Sequence, residues 1–292
     1  MKQNNPINRI DNSPALSLAH AAEEKGFIEK NKDLIRRFNK KKALELIGMV
    51  DLVHFHKSSP DNSENRLDCN LDEVINYTID MSRHGISSVM LKCGENILLD
   101  IDVISYLIYS IKKHTETKII LSLGVNPCNN FKNWKIAGAD GYLFMLNYES
   151  CEDQKVLIHN LKEEIVNEQL TCLSKLGFEV EIGFIVDNTP DYSEKLIKTI
   201  NRFREIKPTA ILPATPNIIE SVDNISERFN SRIRYLTLLL RILFKNVDIY
   251  ACEIVENIKK YKHEELLKLG ANKLLVDFNR GSTYANIIKN YQ

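Results

Sequence analysis

The chain has 292 residues, and its 39 lysines and arginines balance its 39 aspartates and glutamates. This balance provides no general attraction for nucleic acid or for an anionic membrane surface, so neither is an expected partner. The polar amino terminus lacks the apolar core of a signal peptide, and no apolar run approaches the roughly 18 residues of a membrane span. We therefore expect a cytoplasmic protein with one large core domain.

The amino-terminal part of the sequence differs in pattern from the rest. Its first ten residues are polar, and Ser13 followed by Pro14 predicts the start of a helical stretch that continues to about residue 46. We interpret residues 1–50 as a helical extension and residues 51–292 as a barrel domain.

Short β-type runs alternate with amphipathic helical patterns from residue 51 onward. The predicted strands cover residues 51–57, 87–93, 118–123, 141–147, 179–186, 209–212, 248–252 and 273–278. Asn70 predicts the N-cap of the helix after the first strand, and glycines predict three helix ends: Gly85, Gly177 and Gly270. Eight βα units without a long break favour an α/β fold of the TIM type, a closed (β/α)8 barrel, over an open doubly wound sheet.

Side chains alternate between the two faces of a strand, so one polar set is expected inside the barrel. The predicted inward polar residues are His54, His56, Lys92, Ser122, Asn147, Glu179, Glu181, Glu253 and Asp277. An unpaired charge inside a barrel would be costly. We therefore expect these groups to pair with one another or to bind a small polar ligand at the carboxyl ends of the strands, the mouth of the barrel.

Two histidines and two glutamates are the candidate catalytic residues. Histidine titrates near neutral pH, so His54 or His56 is a candidate general base, with Glu181 or Glu253 positioning a substrate. The same histidines could supply two metal ligands with one of these carboxylates as a third. A hydrogen-bonded pair of interior histidines explains the pattern equally simply, and we favour it over a metal site.

The six cysteines are scattered, with no two closer than about 20 residues, which predicts reduced thiols rather than a disulfide framework. Five of them fall in or just before the predicted loops at the mouth: Cys69, Cys93, Cys128, Cys151 and Cys252. Thiols in this region could bind a soft metal or act as a nucleophile. Small side chains also suit crowded strand ends, and we favour this structural interpretation.

Several segments resemble the biotin synthase, hydrogenase-maturase and methylornithine-synthase branch of radical S-adenosylmethionine (SAM) enzymes. The segments are KIILSLG (118–124) for the third strand, AGADGYLFMLN (137–147) for the fourth, GFEVEIGFIV (177–186) for the fifth, ILPATP (211–216) for the sixth and GANKLLV (270–276) for the late part of the pattern. Their order and spacing agree with the family over about 230 residues. The resemblance implies a radical-SAM-like barrel that binds SAM at its mouth.

The iron–sulfur motif of this family is missing. The family holds a [4Fe–4S] cluster with CxxxCxxC in the loop after the first strand, and the corresponding positions here are Ser59, Ser63 and Arg66. Neutral hydroxyls and a cationic guanidinium are poor substitutes for thiolates. We therefore expect no [4Fe–4S] cluster and no ordinary reductive cleavage of SAM.

Other positions match the motifs of this family only in part. Cys93-Gly94-Glu95 resembles the GGE motif that holds the amino group of SAM. Together with strand alternation, the resemblance gives five candidate SAM-binding residues: Glu95, Ser122, Asn147, Glu149 and Asp187. The positions that hold a second cluster in biotin synthase fall here on residues that include Ile120, Glu181 and Tyr250, which does not support sulfur insertion.

Three hypotheses about function remain open at this point. The first is a pseudoenzyme in cofactor biosynthesis that binds SAM or a related intermediate, as a partner of an active biosynthetic enzyme. The second is a transferase or lyase that uses histidine and glutamate for acid–base chemistry in the same cavity. The third is an active radical SAM enzyme whose cluster is held by cysteines from several loops.

Overall fold

The computed structural model describes residues 29, 31–39, 43–55, 70–93, 100–146, 163–186, 192–214, 227–251 and 263–277. Strands and helices alternate along these residues. In chain order they are α1 (Lys32–Asn39), β1 (Glu45–Asp51), α2 (Leu71–Arg83), β2 (Ser88–Lys92), α3 (Ile101–His114), β3 (Lys118–Ser122), α4 (Cys128–Ala137), β4 (Gly141–Leu146), α5 (Glu163–Lys175), β5 (Glu179–Ile185), α6 (Tyr192–Ile206), β6 (Ala210–Ala214), α7 (Glu227–Leu243), β7 (Asp248–Ile249), α8 (His263–Lys268) and β8 (Lys273–Asp277).

All eight strands are parallel and belong to one sheet, in the order β7-β6-β5-β4-β3-β2-β1-β8. The two ends of this sheet meet, because Tyr250 pairs with Lys273 and the Ala251 N–H donates to the Lys273 carbonyl at 2.8 Å. The sheet therefore closes into a barrel with the helices outside it. The predicted (β/α)8 fold is confirmed.

The first strand lies earlier in the chain than the sequence analysis predicts. It spans Glu45–Asp51 and not residues 51–57, and Leu52–Phe55 form a single turn of 3₁₀-helix. The physical reason is burial on both faces of the strand, since Ile47 packs inside the barrel and Val50 packs against the helices, each 0% exposed. A parallel strand in a barrel needs such a continuous apolar run.

This shift corrects two predictions. The boundary drawn after residue 50 falls inside β1, so residues 45–50 belong to the barrel and not to a helical extension. His54 lies in the 3₁₀-helix, so the prediction that it shares a strand face with His56 is wrong. His56 itself lies outside the described residues.

The glycines predicted at helix ends are confirmed, because Gly85, Gly177 and Gly270 follow α2, α5 and α8 with positive φ. Asp100, which the sequence analysis does not select, begins α3 by accepting the backbone N–H of Asp102 at 2.8 Å, which satisfies an end group that the helix leaves unpaired. Asn70 does precede α2, but its side chain makes no capping hydrogen bond and instead donates to Glu73 at 3.1 Å. None of the described helices is long and apolar enough to cross a membrane.

Inside the barrel, seven buried side chains form one apolar cluster: Ile47, Met90, Ile120, Leu143, Ala210, Leu212 and Tyr250. A second, larger apolar core fills the space between the sheet and the helices.

Candidate functional site

Three neighbouring strands each end at the mouth with a polar residue. We name these residues the mouth cluster: Asp51 ends β1, Lys92 ends β2 and Ser122 ends β3. The strand register places Asp51 beside Lys92 and Lys92 beside Ser122. All three share the inward face with Ile47, Met90 and Ile120, because they lie two or four positions further along the same strands.

The mouth cluster carries one positive and one negative charge that both reach solvent. The Lys92 Nζ lies 3.7 Å from the Asp51 Oδ2, and the two side chains are 35% and 20% exposed. The Asp51 Oδ1 accepts the backbone N–H of Val53 at 3.1 Å, which fixes this carboxylate at the start of the 3₁₀-helix. Carboxyl ends of strands are where (β/α)8 barrels build their active sites. The cluster is therefore the described part of the candidate site.

The structure describes only some of the residues that the sequence analysis selects. Ser122 lies at the mouth, Cys93 directly follows Lys92, and the His54 backbone lies in the turn that follows β1. The remaining candidates at the mouth lie outside the described residues: His56, Glu95, Asn147, Glu149, Asp187 and Glu253. Their roles, and that of Ser122, stay predictions. Asp51 was missed as a site residue because the displaced first strand placed it at the wrong end.

A second polar group lies at the opposite end of the barrel interior. We name it the floor cluster: Glu45, Ser88, Glu181, Tyr250 and Lys273. Glu181 is fully buried at its centre, with its Oε1 2.7 Å from the Lys273 Nζ. Its Oε2 accepts the Tyr250 hydroxyl at 2.6 Å. Glu45 extends the group, because it accepts the Ser88 hydroxyl at 2.5 Å and lies 3.6 Å from the Lys273 Nζ.

Burial and charge hold these groups in fixed protonation states. Burial raises the pKa of Tyr250 well above its ordinary value of 10.0, and the Glu181 carboxylate raises it further. Burial alone would lower the pKa of Lys273, but the charges of Glu181 and Glu45 outweigh it and raise this pKa above 10.5. Tyr250 is therefore a neutral donor and Lys273 a cation at neutral pH. A lysine in this state is not a nucleophile.

Met145 packs beside β5 on the mouth side of Glu181. One inward position nearer the mouth than Glu181 is Gly183, and a Cβ at Gly183 would lie 2.1 Å from the Met145 Sδ. The Met145 side chain therefore fills the space that a larger residue would occupy beside β5. In the described structure Glu181 pairs with Lys273 and Tyr250. Its predicted ligand contact and catalytic role stay predictions.

Cys128 and Cys172 form a disulfide, with their Cα atoms 6.0 Å apart. The expectation that all six cysteines are reduced is therefore wrong for this pair. Cys128 begins α4 and Cys172 lies on α5, where Gln169 also accepts the backbone N–H of Asn126 at 3.0 Å. These two links attach the segment after β3 to α5. Cys128 consequently offers no thiol to the mouth.

The residues that the resemblance places at the cluster-motif positions are poor ligands for an iron–sulfur cluster. Ser59, Ser63 and Arg66 provide two hydroxyls and a guanidinium in place of three thiolates. They lie in the segment 56–69, between the 3₁₀-helix and α2, which is outside the described residues. Among the residues that the structure does describe, no three histidine, cysteine or acidic side chains are grouped to hold a metal ion.

No model of a protein family matches the chain. Among curated proteins, the [FeFe] hydrogenase maturase subunit HydE of Thermotoga maritima is 27% identical over 210 residues, which is 70% of this chain and 59% of that protein. The chain thus spans about three fifths of the length of this relative.

Solved structures share the fold at lower identity. Methylornithine synthase PylB superposes with a TM-score of 0.73 at 16% identity, over 95% of this chain and 86% of that one. The hydrogenase maturase HydG of Carboxydothermus hydrogenoformans gives a TM-score of 0.67 at 12% identity, over 98% and 80% of the two chains. The solved structures show the fold, and together with the HydE match they support a barrel that resembles those of the radical SAM superfamily.

Proposed function

We propose that this barrel acts in cofactor biosynthesis by binding SAM, or a related small intermediate, at its mouth without a [4Fe–4S] cluster. The matches to a hydrogenase maturase and to a methylornithine synthase support a biosynthetic role. Ligand binding without a [4Fe–4S] cluster is supported by a contrast between two parts of the chain. The mouth keeps a charged, solvent-reaching cluster at Asp51 and Lys92, while the positions for the cluster thiolates hold Ser59, Ser63 and Arg66.

A protein of this kind would bind its ligand and not cleave it by radical chemistry. It would then serve as a pseudoenzyme, or as the partner of an active biosynthetic enzyme that receives the ligand. Glu95 would hold the amino group of SAM, since it follows β2 in the remnant Cys93-Gly94-Glu95 of the family's motif. The other expected contacts are Ser122, Asn147, Glu149 and Asp187.

Two measurements on the whole protein test this function. After anaerobic purification and reconstitution with iron and sulfide, we expect no stoichiometric iron, because one cysteine in the segment 56–69 cannot replace three thiolates. In a calorimetric titration we expect SAM to bind, and Glu95→Ala to weaken binding roughly ten-fold or more, the usual loss for a charge-assisted hydrogen bond.

Glu116→Ala is the matched control, because Glu116 is an exposed glutamate just before β3, at the opposite end of the barrel. It should bind SAM as the wild type does. About four irons per chain together with reductive cleavage of SAM would overturn the cluster-free assignment. A titration without SAM binding would overturn SAM as the ligand.

A further inference from the structure

We propose that the Cys128–Cys172 disulfide is a reversible redox switch that controls how tightly the barrel mouth binds its ligand. The reductant that it fits is a dithiol that attacks the bond from the Cys128 side. The part of this inference that concerns affinity rests on the proposed function, since it needs a ligand at the mouth. The exchange reaction itself does not depend on that ligand.

The disulfide fixes the loop that follows β3. Ser122 ends β3 at the mouth, and residues 123–127 lead directly from it to Cys128 at the start of α4. Cys172 on α5 is therefore bonded to the end of a loop that begins at a candidate ligand residue. Loops at the carboxyl ends of the strands build the active sites of (β/α)8 barrels. A change in this bond therefore acts on a loop that borders the proposed ligand.

Hydrogen bonds are the other described links that attach this loop to its neighbours. The Asn126 N–H donates to the Gln169 Oε1 at 3.0 Å, and the Tyr142 hydroxyl donates to the Gly124 carbonyl at 2.7 Å. Gln169 lies three residues before Cys172, so the first hydrogen bond and the disulfide hold the loop to the same face of α5. Hydrogen bonds open and reform in local fluctuations, whereas a disulfide does not. Reduction therefore leaves the loop in place but less firmly ordered.

The two cysteines differ in exposure. Cys128 is exposed in the first turn of α4, whereas Cys172 is 6% exposed and packs in the core between the sheet and the helices. A thiol in solution therefore reaches the bond on the Cys128 side, and Cys172 is the leaving group. A disulfide buried on both sides would have to wait for unfolding before it could react.

The exchange takes two steps and transfers two electrons. One thiolate of the dithiol bonds to the Cys128 sulfur, the S–S bond of the chain breaks, and Cys172 leaves as a thiolate that takes up a proton. The second thiolate of the dithiol then attacks the reductant's own sulfur in the mixed disulfide and releases Cys128, which also takes up a proton. The dithiol is oxidised to a disulfide, and its two protons end on the two cysteines of this chain.

The order of the loop sets the direction of the effect on binding. A ligand that binds beside an ordered loop does not have to order it, whereas a ligand beside a loosened loop does. The oxidised chain is therefore the form that binds more tightly, and reduction weakens binding.

The first test follows the chemistry of the folded wild type. We expect dithiothreitol, the probe dithiol, to reduce the bond in the folded chain within about ten-fold of its rate in urea. After reduction, a short pulse of iodoacetamide should label Cys128 at least about ten-fold faster than Cys172, as peptide mass spectrometry measures. Reduction only after unfolding, or labelling of Cys172 as fast as Cys128, would overturn the inference.

The second test measures the order of the loop by hydrogen exchange in the oxidised and the reduced wild type. The comparison uses labelling times at which the amides of β5, the internal control, stay protected in both forms. At these times the amides of residues 123–128 should exchange at least about ten-fold faster in the reduced chain. Unchanged exchange in the loop would overturn the inference. Loss of protection in β5 would also overturn it, because reduction would then unfold the whole chain.

The third test is a calorimetric titration with SAM. The oxidised chain should bind SAM about five-fold or more tightly than the reduced chain. Cys128→Ser is the matched control, since it should bind as the reduced wild type does and should not respond to dithiothreitol. Equal affinities of the two forms, or tighter binding by the reduced form, would overturn the control of ligand binding. If SAM binds neither form, SAM fails as the ligand, and the first two tests alone decide the switch.

Discussion

The barrel holds a lysine–carboxylate pair at each end, and the two pairs differ in burial and in distance. At the floor, Lys273 and Glu181 are 2% and 0% exposed and lie 2.7 Å apart. At the mouth, Lys92 and Asp51 are 35% and 20% exposed and lie 3.7 Å apart. The same pair of charges therefore serves two ends of one barrel in different ways.

The difference follows from where water can reach. At the floor each charge has lost its hydration, so it must be compensated by a close partner and by further hydrogen bonds, here from Tyr250. At the mouth both side chains reach solvent, which screens their charges, so a longer separation costs less. The pair at the floor is therefore expected to matter more for stability than the pair at the mouth.

The largest expected effect is the loss of the floor pair. Lys273→Met should lower the free energy of unfolding by about 3–5 kcal/mol, because it leaves the Glu181 carboxylate buried without its counter-charge. Urea denaturation followed by circular dichroism measures this loss. Lys92→Met is the matched control at the mouth and should lose under about 1 kcal/mol.

A double variant checks the cause of the first effect. Glu181→Gln combined with Lys273→Met should lose less stability than Lys273→Met alone, because the fully buried side chain at position 181 is then uncharged. Equal losses for the two lysine variants would contradict the distinction between floor and mouth.

The next largest effect concerns the disulfide that joins α4 to α5 outside the sheet. Reduction of the Cys128–Cys172 disulfide, which spans 44 residues of sequence, should lower the free energy of unfolding by about 2–4 kcal/mol. Cys128→Ser should show the same loss without reductant and no further loss with it. Urea midpoints with and without dithiothreitol measure both, and reductant-insensitive stability of the wild type would contradict the expectation.

The smallest effect is a dependence of stability on alkaline pH, to which the floor cluster contributes. The pKa values of Tyr250 and Lys273 are both raised in the folded chain. Their contribution to stability is therefore present below the ordinary pKa of each group and is lost as pH rises above it.

Tyr250→Phe isolates the contribution of Tyr250, since phenylalanine cannot ionise and Lys273 remains. The variant starts less stable, because the Glu181 Oε2 loses its donor, but its stability should fall less between pH 9 and pH 11. Urea midpoints across this range measure the difference. Parallel pH profiles for the variant and the wild type would show that the pKa of Tyr250 is the same in the folded and the unfolded chain, and they would contradict the prediction.

Local patterns in the sequence were enough to predict the repeating part of the fold. The strands from β2 to β8 lie within a few residues of their predicted ranges. Short apolar runs, helix-end glycines and amphipathic helical patterns depend only on residues that are close in the sequence, so they can be recognised without the tertiary structure. Ser122 was placed at a strand end for the same reason. The first strand was predicted too late in the chain, because its apolar run directly follows a helical pattern. Its pairing with β2 and β8 is what makes this run a strand.

Contacts between distant residues were decided by the tertiary structure alone. Glu181 and Lys273 are 92 residues apart, and Cys128 and Cys172 are 44 apart. Strand alternation correctly placed Glu181 inside the barrel, but it does not specify the height at which the closed sheet meets a lysine from β8. Closure of the barrel sets that height, and it is why Glu181 pairs at the floor while Lys92 and Asp51 meet at the mouth.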